Sequence, residues 1–314
     1  MPEIDDIAAL WGQLDGAPEF VAARENSVYH CRIDGQSVAL RLHRPGYQSY
    51  AAIQSELRWC ARLADLGFPC PRPVVSDDGS YLRSVHLGGH ASVVSWLDGA
   101  AIGAGDTRLQ GSEAEQAALY HAVGALLAAL HQATDVIQTE DLQRGSWDAD
   151  TLLGEAPIWG RFWENPTLTR AEADLLLRTK ARAYDLLVRQ ETIDAGLIHA
   201  DPLQENILAT PAGLALIDFD DGGFGYRAYD LGVALSQHWD TPNADMLRRA
   251  LLDGYATLRP APAEDLVILF TMVRALASCG WCVDRCAGDS AVQRQYAQRA
   301  VTLADQWMAQ TTTA

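Results

Sequence analysis

The spacing of hydrophobic and polar residues changes near Gly99 and divides the chain into two parts. Before that point, β-rich runs at 28–33 and 38–43 flank Asp34-Gly35, which is a strong signal for a hairpin turn. Apolar residues at helical spacing predict a short helix over 3–13 and a longer one over 50–66. Other features of this part are a C-cap glycine at Gly67 and a second strand pair over 81–85 and 91–97, around Gly88-Gly89.

After Gly99 the helical spacing dominates. The predicted helices cover 112–135, 170–192, 228–239, 243–257, 262–285 and 290–310. One hairpin interrupts them, because the apolar runs 207–208 and 214–217 are separated by Pro211-Ala212-Gly213. The pattern therefore predicts an α+β protein with a small β-rich lobe over residues 1–95 and a large helical lobe over residues 96–314.

Polar residues of one chemistry flank this hairpin. His199, Asp201 and Asn206 precede it, and Asp218 follows its second apolar run. Phosphoryl transfer from ATP needs a carboxylate to orient a hydroxyl, and an amide and a second carboxylate to hold Mg²⁺ on the phosphates. The spacing H-x-D-x-x-x-x-N, followed by a strand that carries D-F-x, is a kinase signature. The alternative is a surface turn rich in Asp and Asn.

The signature assigns a role to each group. Asp201 is predicted to be the catalytic base, and Asn206 and Asp218 are predicted to be Mg²⁺ ligands. Strand alternation places Asp220 on the same face as Asp218, which makes Asp220 a further metal candidate. Asp221 is predicted to be a turn residue.

With these residues the chain resembles the aminoglycoside phosphotransferase and choline kinase superfamily, nearest its bacterial stress-response kinase and homoserine kinase II branches. The segments that carry the resemblance are 25–29, 41–45, Glu56, 199–206, 218–221 and 229–231. The resemblance implies a bilobal protein-kinase-like fold that binds ATP between its lobes, with adenine against the backbone of Ser95 to Leu97. It also implies that His199 supports the catalytic loop and that Asp230 braces it, although Asp230 also suits a helix N-cap.

Arg41 departs from the family pattern. These kinases place a lysine on the third strand, whereas the only lysine of this chain is Lys180, far away in a helical segment. The resemblance implies that Arg41 holds the α- and β-phosphates and pairs with Glu56, although arginine and lysine are not interchangeable at such sites. Asn26 and Ser27, after Glu25, stand where a glycine-rich phosphate loop would lie, and the chain has no G-x-G-x-x-G.

The charge is uneven and bears on the partner. Residues 1–95 carry 8 basic and 11 acidic residues, and residues 96–314 carry 16 basic and 30 acidic ones. This balance argues against nucleic acid. It favours a cationic acceptor by electrostatic steering, and serving solubility alone is an equally good explanation. Trp281, Asp284 and Arg285 are candidate lining residues for an amino alcohol, an amino sugar or an amino acid such as homoserine.

Location and the cysteines add little more. The apolar stretch from Leu266 to Val283 is interrupted by Arg274 and Ser278, so a core helix is predicted and no membrane span. The acidic amino terminus has no signal-peptide pattern, which predicts a cytoplasmic protein.

Free thiols are preferred for the C-x-x-C at 279–282 over a redox pair or a zinc site.

The sequence thus predicts an ATP- and Mg²⁺-dependent phosphotransferase that acts on a hydroxyl of a small molecule. Two alternatives remain open at this point. One is a Ser/Thr protein kinase of the stress-response type. The other is a nucleotide-binding module without turnover, which the Arg41 substitution and the absent glycine-rich loop suggest.

Overall fold

A computed structural model describes residues 2–23, 26–86, 89–105, 107–190 and 193–312. The helices of this part are α1 Pro2–Ala8, α2 Tyr50–Asp65, α3 Glu113–Val136, α4 Ala149–Leu153, α5 Arg170–Arg189, α6 Arg227–Leu235, α7 Ala244–Ala256, α8 Glu264–Arg285 and α9 Ser290–Thr312. The strands are β1 Glu19–Ala23, β2 Asn26–Ile33, β3 Gln36–His43, β4 Pro73–Val74, β5 Leu82–Ser84, β6 His90–Ser95, β7 Ala100–Ala101, β8 Ser146–Trp147, β9 Ala195–Ile198, β10 Ile207–Thr210, β11 Gly213–Leu216 and β12 Gly223–Tyr226.

The chain forms two compact units. The first unit comprises Met1–Ala100, Ala133–Gly145 and Ile207–Asp220, and the second comprises Ala101–Gln132, Ser146–Asn206 and Asp221–Ala314. Residues 96–100 and two separate later segments, all beyond residue 95, therefore belong to the first unit.

An antiparallel sheet organises the first unit. Its strands run in the order β1-β2-β3-β6-β4, and β5 pairs with β6. The turn between β2 and β3 has positive φ at both Asp34 (49°) and Gly35 (77°), which is the type I′ geometry that a two-residue hairpin favours. The predicted hairpin is therefore confirmed.

Alternate residues of β3 pack on opposite faces of this sheet. Leu40 lies in a cluster with Trp11 and Val93, whereas Ala39 lies in a cluster with Leu57 of α2. Because strand side chains alternate, Arg41 lies on the same face as Ala39, toward α2. This register decides which partners the Arg41 side chain meets.

Helices dominate the second unit. α8 packs against α6 and α9. The hydrophobic core of this unit includes Phe270 and Val273 of α8 and Tyr229 of α6. Within the described chain, α8 is long and apolar enough to cross a membrane, but 72% of its apolar window is buried inside the protein. α8 is therefore a core helix, as its interrupted apolar pattern predicts.

Most of the predicted elements are present. The predicted helix over 170–192 ends at Arg189, and the one over 228–239 ends at Leu235 and continues as a 3₁₀ turn, Ser236–His238. Gly67 has a φ of 80° after α2, as a C-cap glycine requires. Gly88 lies outside the described residues. The sequence pattern missed β1 and the small sheet β8-β12-β9.

Candidate active site

The carboxylate of Asp201 is held by two donors in the second unit. Its Oδ1 accepts a hydrogen bond from Arg274 Nη2 at 2.6 Å, and its Oδ2 accepts one from Asn206 Nδ2 at 2.9 Å. Asn206 Nδ2 also donates to the backbone oxygen of Asp201 at 2.9 Å. Since the amide nitrogen of Asn206 is committed to Asp201, its oxygen Oδ1 is the group that remains for a cation.

A buried carboxylate fixes the backbone just before Asp201. Ala200 has a φ of 66°, a strained conformation for a residue with a Cβ. Asp230 Oδ1 accepts from Ala200 N at 2.7 Å, and its Oδ2 accepts from His199 N at 2.9 Å. His131 Nε2 lies 3.0 Å from the same Oδ2, and His131 and Asp230 are both fully buried.

These contacts test the roles that the resemblance implies for His199 and Asp230. His199 is fully buried, and its Nδ1 accepts from Asp201 N at 3.3 Å, so it supports the loop. Asp230 braces the loop as the family resemblance implies. The N-cap interpretation of Asp230 is wrong, because α6 begins at Arg227 and places Asp230 inside its first turn.

Arg274 is a site residue that the sequence analysis noticed only as a break in an apolar run. Its side chain is 7% exposed, and its guanidinium carbon lies 4.3 Å from the centre of the Trp159 ring. A single charged residue inside the apolar run 266–283 of a core helix is the signal that points to it, because such a charge requires a buried partner.

Burial raises the pKa of Asp201 to about 7. The Arg274 guanidinium opposes this rise, and the nearby carboxylates of Asp221 and Glu205 add to it. A carboxyl group that titrates near neutral pH is matched to accepting a proton at that pH.

In the first unit, Arg41 joins two carboxylates with two different nitrogens. Nη1 donates to Glu56 Oε1 at 2.7 Å, and Nη2 donates to Asp220 Oδ1. Asn26 Nδ2 donates to the other oxygen, Oδ2, of Asp220. The predicted pair of Arg41 and Glu56 is thus present, and both oxygens of Asp220 bond to protein donors. The role of Asp220 as a metal ligand stays a prediction.

The charges of this cluster influence one another. Burial raises the pKa of Glu56 to about 7, against the opposing effect of Arg41. Burial also acts to raise the pKa of Asp220, but Arg41, His43 and Arg144 outweigh it and the net shift is downward. For Arg41, burial acts to lower the pKa, and Asp220 and Glu56 together raise it well above its usual range.

Arg144 holds the segment that carries Asp218 and was not predicted. Its Nη2 donates to the backbone oxygens of Phe219, at 3.2 Å, and Asp220, and its Nη1 donates to Ala52 O of α2 at 2.9 Å. Asp218 follows β11 with a φ of 64°. The same segment is packed through Phe219, whose ring lies 5.1 Å from that of Trp59.

The other predicted residues of the first unit lie on strands of its sheet. Ser27 of β2 pairs with Leu42 of β3. Ser95 ends β6, its N–H donates to Arg72 O at 2.7 Å, and Leu97 follows two residues later. Glu25 lies outside the described residues. The nucleotide contacts of Asn26, Ser27, Ser95 and Leu97 remain predictions.

The predicted acceptor-lining residues lie in the last turns of α8. The guanidinium carbon of Arg285 lies 5.2 Å from the centre of the Trp281 ring. The centres of the Trp281 and Tyr296 rings are 6.0 Å apart. Trp281 is seven residues after Arg274, about 10 Å along the helix axis. In the same helix Cys279 and Cys282 are free and buried, and Cys282 Sγ donates to Cys279 O at 3.3 Å.

Comparison with known proteins assigns this chain to a family. The profile of the phosphotransferase enzyme family matches residues 18–276. The homoserine kinase of Janthinobacterium sp. (strain Marseille) is 28% identical over 244 residues, which cover 74% of this chain and 69% of the homoserine kinase.

Solved structures agree on the fold. A microcompartment-associated aminopropanol kinase superposes with a TM-score of 0.85 at 24% identity and covers 99% of this chain and 98% of its own. An amicoumacin kinase in complex with AMP-PNP and Ca²⁺ gives a TM-score of 0.74 at 20% identity and covers 96% of this chain and 92% of its own. The predicted α+β, protein-kinase-like fold is confirmed. The chain belongs to the phosphotransferase enzyme family and is a kinase that transfers phosphate to a hydroxyl acceptor.

Proposed function

We propose that this protein phosphorylates the hydroxyl group of a small amino alcohol or amino acid, with ATP and Mg²⁺. The observation that carries the proposal is the partly buried Asp201 carboxylate, which Arg274 and Asn206 hold between two donors. Such a group orients a hydroxyl and accepts its proton as the phosphoryl group departs from ATP.

Two of the predicted residues have the donor chemistry that a hard cation needs. Asn206 Oδ1 and the Asp218 carboxylate are oxygen ligands of the kind that Mg²⁺ prefers, and they would hold it on the phosphates of ATP. The bound cation would neutralise charge that develops during transfer. The amicoumacin kinase, with its AMP-PNP and Ca²⁺, supports a nucleotide and a divalent cation here.

Arg41 is proposed to hold the α- and β-phosphates. Its guanidinium has five N–H donors, and the hydrogen bonds to Glu56 and Asp220 each engage one nitrogen. The two carboxylates fix its orientation, so that the remaining donors are presented without a further loss of side-chain freedom on binding.

The acceptor class follows from charge and relatives. The residues after 95 carry 14 more acidic than basic side chains, which attracts a cation. Relatives include homoserine kinases, and the aminopropanol kinase shares the fold. Homoserine and aminopropanol each carry an amine and a hydroxyl, so we propose an acceptor with both groups.

The proposal is tested by ADP release against a panel of hydroxyl acceptors. The panel contains homoserine, aminopropanol, ethanolamine, choline, an aminoglycoside, a neutral sugar and a generic protein substrate, and the Asp201→Asn variant serves as the blank. We expect release with an amine-bearing small molecule only. Release with the protein substrate alone, or with the neutral sugar alone, would contradict the proposed acceptor class.

The activity should rise with pH through neutrality. Asp201 acts as a base only when ionised, and its pKa is about 7, so the base is lost as the pH falls below that value. We expect an acidic limb in kcat/KM for the acceptor with an apparent pKa between about 6 and 8. Rates measured from pH 5 to 9 check this, and a profile flat down to pH 5 would remove Asp201 from the role of base.

Replacing Arg41 by lysine should weaken ATP use. A lysine has one nitrogen and cannot bridge Glu56 and Asp220 as the two guanidinium nitrogens do. We expect Arg41→Lys to lower kcat/KM for ATP roughly 10-fold, and Arg32→Lys, on the neighbouring strand β2, to change it less than about 2-fold. Steady-state kinetics in ATP measures both, and equal effects would show that the bridge is unimportant.

A further inference from the structure

A cavity of about 240 Å³ in the second unit is lined by none of the residues assigned to phosphoryl transfer. It is bordered by the segment before α3, the first turn of α3 and the segment that joins α6 to α7. Its polar and charged lining residues are Arg108, Glu113, Gln116, His238, Thr241 and Asn243.

His238 lines this cavity with an imidazole that has no partner within the described chain. The residue is 1% exposed, and neither Nδ1 nor Nε2 has a hydrogen-bond partner. Its ring packs edge-on against Tyr120, with ring centres 5.1 Å apart. Burial lowers the pKa of His238 to about 4, against the opposing effect of Asp240, so the neutral ring offers one donor and one acceptor. Since buried polar atoms are rarely left without partners, the ring points to a ligand.

The wall beside His238 is held in place. Gln116 Nε2 donates to the backbone oxygens of Leu109 and Gly111, both at 3.1 Å. Asn243 Nδ2 donates to Gln116 Oε1, so the carboxamide oxygen of Asn243 takes no part in this hydrogen bond. The hydroxyl of Thr241 donates to His238 O at 2.9 Å. These bonds fix a polar surface before any ligand arrives.

Two opposite charges complete the lining. Arg108 and Glu113 are exposed, and neither forms an ion pair with any residue that the structure describes. A guanidinium suits a carboxylate, and a carboxylate suits an ammonium group.

We propose that this cavity binds a free α-amino acid with a small polar side chain. Arg108 takes its carboxylate, Glu113 takes its ammonium group, and His238 bonds to its polar side chain. The proposal goes beyond the phosphotransferase activity, since it concerns binding that needs neither ATP nor turnover.

The segments that line the cavity also hold the catalytic loop. Gln237, which precedes His238, accepts from Gln204 N at 3.0 Å and donates to Glu205 Oε2 at 2.8 Å. Gln204 Nε2 donates to the backbone oxygens of Gly105 (2.8 Å) and Thr107 (3.1 Å), just before Arg108. Gln204 and Glu205 lie between Asp201 and Asn206 in the sequence. We therefore expect a ligand in the cavity to affect how Asp201 and Asn206 are held.

The test is a titration of this 314-residue chain with each of the twenty common free amino acids, without nucleotide, followed by melting temperature and calorimetry. We expect one or a few of them to raise the melting temperature. Their affinity should fall at least 10-fold in Arg108→Ala and in His238→Leu and stay within 2-fold in Arg170→Ala, an exposed arginine outside the cavity. Arg108→Ala keeps the test sound if the buried change at 238 prevents folding.

Two results would overturn the proposal. The first is that no amino acid raises the melting temperature, or that Arg108→Ala binds as the unaltered protein does. The second is that the amino acid bound through Arg108 is itself phosphorylated when ATP is added, because the cavity would then belong to the acceptor site. A failed acceptor panel leaves the binding test intact, since the two are measured separately.

Discussion

Asp201→Asn is expected to lower the rate of ADP release at least about 100-fold at saturating acceptor, because a carboxamide cannot accept the proton of the attacking hydroxyl. Nucleotide affinity should stay within about 3-fold, since the residues proposed to hold the phosphates are unchanged. Single-turnover phosphate transfer and the shift of melting temperature by AMP-PNP measure the two effects separately.

This substitution also tests the partly buried ion pair of Asp201 and Arg274. Asparagine keeps an oxygen for Arg274 Nη2 but removes the charge that compensates the guanidinium. The melting temperature of Asp201→Asn should therefore fall below that of Asp253→Asn, an exposed aspartate of α7 that serves as the matched control. Rates are compared at a temperature where both variants are folded. Retained transfer, or an equal loss of transfer and nucleotide binding, would contradict the role given to Asp201.

Arg274→Met is expected to cost roughly 10- to 100-fold in turnover at pH 7, although Arg274 is not proposed to touch ATP or the acceptor. The Arg274 guanidinium opposes the rise that burial causes in the pKa of Asp201. Without it we expect this pKa to rise above about 7, so that the carboxyl is largely protonated at neutral pH. Part of the rate should return at higher pH as the carboxyl ionises.

The pH profile separates this positioning role from a merely structural one. In Arg274→Met the acidic limb of kcat should move up by one unit or more, and Arg274→Lys should move it less, because lysine keeps the charge. Arg178→Met, an exposed arginine of α5, is the control for the substitution itself. A uniform loss of rate with an unmoved limb would show that Arg274 only maintains the fold.

The sequence predicted the elements and the catalytic loop because their signals are local. The Asp34-Gly35 hairpin, the helix over 50–66 and the spacing from Asp201 to Asn206 depend on residues close in the chain. β1 was missed because its five residues are all exposed in the structure, so they show no alternation of apolar and polar positions.

What the sequence did not predict depends on contacts between distant residues. Arg274 meets Asp201 across 73 positions, and Arg41 meets Asp220 across 179. Considered on β3 alone, Arg41 is only a departure from the lysine of the family pattern. With Glu56 and Asp220 both in place, each carboxylate receives a guanidinium nitrogen of its own, a spread of donors that the single nitrogen of a lysine does not have. No local pattern encodes such a pairing.

The arginine at position 41 has a further consequence for chemical proteomics. Nucleotide probes that acylate the amine of a phosphate-binding lysine need a nucleophilic nitrogen, and a guanidinium that stays protonated does not provide one. Lys180 is the only lysine of the chain, and its side chain is 11% exposed. Its Nζ forms an ion pair with Glu155 Oε1 at 2.6 Å. Surveys that count ATP-binding proteins by lysine acylation would therefore pass over this kinase, however abundant and active it is in the cell.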